Sequence, residues 1–134
     1  MMNIRNKTIW ITVFCVYFAA VLYLCFLKPD SLPEIRPDLW GIPLDKLAHF
    51  PMFFPYPLLS FLAFRPQQGG TWRSIAVLAV LYLTGMGFAF GTEQLQGLSE
   101  YRSNDPYDFL ADIIGMTASA ILTLCLILIM KNRK

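Results

Sequence analysis

The chain has 134 residues, 56% hydrophobic and 15% charged, with a mean hydropathy of +0.50; a soluble domain carries roughly 25% charged residues. This is the composition of a membrane protein, and the length supports one domain, 1–134. Eleven Lys and Arg against nine Asp and Glu give a formal charge of +2, without the basic run that tracks a phosphate backbone, so nucleic acid is not expected as a partner.

A helix needs about 20 apolar residues to cross roughly 30 Å of hydrocarbon, and four stretches qualify: Ile9–Leu27, Leu47–Phe64, Ile75–Gly91 and Phe109–Met130. Lipid makes each spanning segment satisfy its own backbone hydrogen bonds, which favours unbroken apolar helices. The predicted fold class is therefore all-α, a polytopic four-helix bundle. The first span follows Arg5 and Lys7 as a signal peptide would, but it outruns the usual apolar region of a signal and no small-residue cleavage site follows, so it is expected to stay. Cys15, Cys25 and Cys125 lie inside apolar stretches without the spacing of a zinc or redox pair, and read as packing or lipid-facing residues. No cofactor or metal is expected.

Counting Lys and Arg in the short segments sets the orientation. Arg5, Lys7, Arg65, Arg73, Lys131, Arg133 and Lys134 fall on one side, and Lys28, Arg36, Lys46 and Arg102 on the other. Both termini should be cytoplasmic. All nine acids, and His49, the only histidine, fall on the outer side; acids do little to set topology, so their segregation marks where the chemistry is.

The first outer loop, 28–44, holds Pro29, Pro33, Pro37 and Pro43 around Trp40. Prolines at this density disfavour helix and predict an extended strap, with Trp40 as an interfacial anchor. The second span opens with Asp45, Lys46 and His49; Asp45 and His49, four apart, share one helix face, and Asp45 also suits a helix N-cap. Pro51, Pro55 and Pro57 then interrupt the helix and free the carbonyls of Leu47, Pro51 and Phe53, which a neighbouring helix or a wet cavity must satisfy.

Span three carries Gly87 and Gly91, and span four carries Ala111, Gly115, Ser119 and Thr123. Small residues at four-residue spacing allow close helix approach, so Gly87 and Gly91 are expected against Ala111 and Gly115. That packing would gather Glu93, just beyond span three, with Asp108 and Asp112. Asp105 before Pro106 reads as an N-cap with proline at the first helical position, answered three residues on by Asp108 as in a capping box. Asp112 lies about 9 Å further along at 1.5 Å per residue, in a span otherwise free of charge, where an ionisable group marks function or an ion-pair network. Arg102 is its natural partner, with Lys46 and His49 as the others.

These residues resemble the VanZ-like membrane proteins in two segments: Asp45-Lys46-x-x-His49, and Glu93-x-x-Gln96 followed by Arg102-x-x-Asp105-x-x-Asp108-x-x-x-Asp112-x-x-Gly115. The resemblance covers about half of the chain, from Asp45 to Ser119. The family often has Asn at the position of Asp112 and Tyr at that of Phe53. The resemblance implies a small multi-pass protein of the bacterial cytoplasmic (inner) membrane, in a family without an established reaction whose namesake is associated with teicoplanin resistance.

Three functions compete. In the first, the outer mouth (Asp45, Lys46, His49, Glu93, Gln96, Arg102, Asp105, Asp108, Asp112) binds an envelope lipid, a lipid-linked precursor or a glycopeptide-type ligand. In the second, the chain is a membrane-embedded hydrolase or transferase with His49 as general base, oriented by Asp45, and Glu93 or Asp112 as acid; no Ser or Cys lies in a nucleophile motif. In the third, it is a structural subunit of a membrane complex. A transporter fits least, because the middles of the spans hold no ionisable residue.

Overall fold

The computed structural model describes residues 4–27, 38–39, 42–66, 68, 70–98 and 105–132. Its elements in chain order are α1 (Ile4–Phe26), β1 (Asp38–Leu39), β2 (Ile42–Pro43), α2 (Leu44–Phe53), α3 (Pro55–Phe64), α4 (Thr71–Gly97) and α5 (Pro106–Asn132). Apart from β1 and β2, which pair antiparallel with Asp38 opposite Pro43 and Leu39 opposite Ile42, the architecture is all-helical. The part of the proline-rich loop that is described is thus extended, as proline there requires; Trp40 lies outside the described residues.

Four helical segments, Asn6–Phe26, Leu47–Phe64, Thr71–Gly97 and Pro106–Met130, are long and apolar enough to cross a membrane. Their outer surface is apolar: Val16, Leu83, Trp72 and Ile121 stand exposed, whereas His49, Ser60, Thr92, Glu93, Gln96, Asp112, Ser119 and Thr123 are buried. Water would favour the opposite distribution. Among the bundle contacts, α5 is central, packing on α2, α3 and α4, while α1 leans on α3 and more briefly on α4.

The second span is two helices. Pro55 has no N–H for the carbonyl of Pro51, and α2 gives way to α3 at Phe54, with proline in the first turn of α3. The Phe54 backbone keeps helical angles, so the break is in hydrogen bonding more than in direction. The Tyr17 hydroxyl of α1 donates to the carbonyl of Met52 at 2.7 Å, one step from the carbonyls the prolines were expected to free.

The main core sits next to this break: Val21, Cys25, Phe53, Tyr56, Ala89 and Met116 are buried together. Phe88 is its aromatic hub, stacked on Phe18 at 4.4 Å between centroids and lying 5.5 Å from Phe53. Phe53 is fully buried. Phe61, Leu78 and Ile127 form a second cluster at the opposite end of the bundle. Across α4 and α5, the hydroxyls of Tyr82 and Thr117 lie 2.8 Å apart; such bonds between membrane helices contribute on average about 0.6 kcal/mol.

The glycine pairing differs from expectation. A Cβ on Gly87 or Gly91 would meet nothing within 4 Å, whereas one on Gly115 would come within 2.5 Å of the Phe50 carbonyl oxygen and one on Gly85 within 2.6 Å of the Tyr56 ring. The close approach of α5 is therefore to α2. On α4 the face turned inward carries Gly85, Ala89, Thr92, Glu93 and Gln96, which puts Gly87 and Gly91 off it. Spacing alone does not say which face of an apolar helix is buried.

Candidate functional site

Helix α4 continues six residues past the end of the apolar run, to Gly97, because Glu, Gln and Leu are good helix formers and no Gly or Pro intervenes. Glu93 is consequently inside the helix, not beyond it, and with Gln96 it is buried on the inward face. At the same end of the bundle α5 begins. Asp105 caps it as expected, its Oδ1 accepting the Tyr107 N–H at 2.9 Å.

The capping box is closed by a different helix. The Asp105 N–H donates to Glu93 Oε1 of α4 at 2.6 Å, the bond that the residue three positions into the helix normally supplies. Asp108, the expected partner, instead places Oδ2 3.7 Å from His49 Nε2. One turn deeper, Asp112 Oδ1 lies 2.9 Å from His49 Nδ1. The imidazole thus sits between two aspartates of α5, its side chain only 4% exposed. What holds α2 close enough is Gly115, one turn below Asp112, against the backbone of Phe50 beside His49.

Asp112 pairs with His49, one of its expected partners; Arg102 lies outside the described residues. Asp45 and Lys46 are helical, one turn before His49, and their side chains lie outside the described residues. Gln96 joins the cluster only indirectly: its Nε2 donates 2.7 Å to the carbonyl of Cys25 and ties the end of α1 to α4. Glu93 is within electrostatic reach of His49, Asp105 and Asp108.

Among the described residues, two carboxylate oxygens, Glu93 Oε2 and Asp112 Oδ2, are buried without a hydrogen-bond partner, as is Ser119 Oγ two turns below Asp112. Burial is graded along α5, from Asp105, half-buried, through Asp108 at 8% to Asp112 at 1% exposure. Among the described residues no three His, Cys, Asp or Glu side chains converge as metal ligands. Tyr17 carries no sequence signal, its hydroxyl being hidden in an apolar run, while Gly115 stands in the resembled motif and could have been read as the point where α2 docks.

The fold and this end of it define a helical bundle, fit by length and composition to cross a bilayer several times, with an acid–imidazole cluster buried near the ends of α2, α4 and α5. No family model, no curated protein and no solved structure matches the chain.

Proposed function

We propose that the chain spans the bacterial cytoplasmic membrane four times with both termini inside, and that its outer mouth binds a polar or cationic group of a cell-envelope lipid, a lipid-linked precursor or a glycopeptide-type ligand. The Lys and Arg distribution supports the orientation. The VanZ-like resemblance supports the setting, and with it a contribution to teicoplanin resistance. One observation carries the binding reading: His49 is held between Asp108 and Asp112 beside a buried Glu93, a concentration of ionisable groups inside spanning helices that packing alone does not require.

The experiment is a mass-spectrometric search for copurified ligands on wild type and Asp112→Ala. One species present in the wild type and lost from the folded variant is expected; identical species in both would refute the reading. A second reading, a membrane-embedded hydrolase or transferase, is favoured by the 2.9 Å contact of Asp112 with His49 Nδ1, since a carboxylate on one ring nitrogen orients the other for base catalysis. In that reading Asp112 takes the orienting role that the sequence suggested for Asp45. Turnover of a lipid-linked substrate that survives in a folded His49→Ala variant would refute it.

A further inference from the structure

The acid cluster has a deficit of a particular kind. Glu93 and Asp112 are 2% and 1% exposed, each has one oxygen engaged, and each has its second oxygen buried and, among the described residues, without a partner. A buried acceptor left unsatisfied is unfavourable, more so when charged. The position therefore calls for hydrogen-bond donors.

We propose that these two oxygens recognise a primary ammonium group, an inference that rests on the binding reading and names its ligand class. The chemistry separates the candidates. An anion would meet carboxylates. A quaternary ammonium is cationic but has no N–H to give either oxygen. A divalent metal needs several converging donors, and among the described residues no three such side chains converge. A primary ammonium combines compact positive charge with three N–H donors, and charge-assisted bonds of this type are the strong ones. The falling exposure from Asp105 through Asp108 to Asp112 marks the direction of entry, down α5 from its start. The ammonium arrives on a lipid headgroup or on a water-soluble amine.

The test uses the full chain in nanodiscs and reads the thermal unfolding midpoint by circular dichroism. One arm compares phosphatidylethanolamine with phosphatidylcholine discs. The other adds ethanolamine, dimethylethanolamine or choline to phosphatidylcholine discs. Stabilisation by the primary amine is expected to weaken on N-methylation, with apparent affinity falling on the order of tenfold or more for a lost charge-assisted bond. Response in the first arm alone assigns the lipid as source, and response in the second a soluble amine.

Glu93→Gln and Asp112→Asn keep the shape of each side chain, and the Gln and Asn amides bring their own N–H, so both are expected to fold and to lose the amine-dependent shift. If neither folds, the methylation series on wild type decides alone. Equal stabilisation by choline and ethanolamine, or no stabilisation in either arm, overturns the inference. A copurified ligand without an amine overturns it while leaving the binding reading standing; identical copurified species in wild type and Asp112→Ala remove both.

Discussion

Replacing Gly115 by Ala tests how the site is assembled. The added Cβ would lie 2.5 Å from the Phe50 carbonyl oxygen, and further backbone atoms of Phe50 lie 3.3 and 3.4 Å away. Ordinary contact starts at about 3.4 Å, so α2 must withdraw from α5 by about 0.9 Å, against backbone that has no rotamer to change. His49 precedes Phe50, and the same movement stretches its 2.9 Å contact with Asp112 beyond hydrogen-bond length. Overpacking costs about 1–3 kcal/mol, and disrupting a bond to a charged group roughly another 1.5 kcal/mol or more. The helix preference for Ala over Gly offsets about 1 kcal/mol, which leaves a net loss of about 1.5 kcal/mol or more. Unfolding in sodium dodecyl sulfate, followed by circular dichroism, measures it. Because His49 is the only histidine, nitrogen-15 histidine spectra report the contact directly. Gly87→Ala and Gly91→Ala are the controls, with no atom within 4 Å of the new Cβ, and should be neutral or slightly stabilising. Unchanged stability and an unchanged histidine spectrum in Gly115→Ala, or an equal loss in Gly91→Ala, would refute the reasoning.

Tyr17→Phe removes the hydroxyl that donates to the Met52 carbonyl and should destabilise by about 0.6–1.5 kcal/mol, read in the same detergent titration; no change would mean the break between α2 and α3 is satisfied otherwise. Asp105→Ala should lose about 1 kcal/mol of capping and speed amide exchange in the first turn of α5, with exchange in its second half unaltered. Gln96→Leu removes the Gln96 donor to the Cys25 carbonyl and loosens the end of α1. In a background lacking the exposed Cys15 and Cys125, Cys25 should then react faster with a thiol reagent, whereas in wild type it stays protected.

The four apolar helices were legible because lipid-compatible runs are long and composition alone detects them. The start of α5 was legible too, since an Asp before Pro has one common helical use. Residue identity did not reveal direction. Gly87 and Gly91 have the right spacing on a helix apolar all round, and only packing shows that Gly85 and Ala89 face inward. The apolar run of span three stops short of Glu93, although the hydrogen-bonded helix runs on through it to Gly97. The clustering of Glu93, Asp108 and Asp112 followed from antiparallel neighbours, but the choice of His49 among the candidate partners of Asp112 depended on a contact between α2 and α5 whose one local sign is Gly115.

The bond from Glu93 to the Asp105 N–H has a consequence for biogenesis. A helix that finishes its own first turn can form alone, but α5 relies on a carboxylate made earlier in synthesis, on α4. The last hairpin should thus mature as a unit: the nascent α5 acquires a settled beginning only after α4 is in place alongside it. A chain interrupted between the two would leave α5 with a frayed start, Glu93 Oε1 without the Asp105 donor, and the Asp108 and Asp112 side chains with no fixed height from which to grip the imidazole.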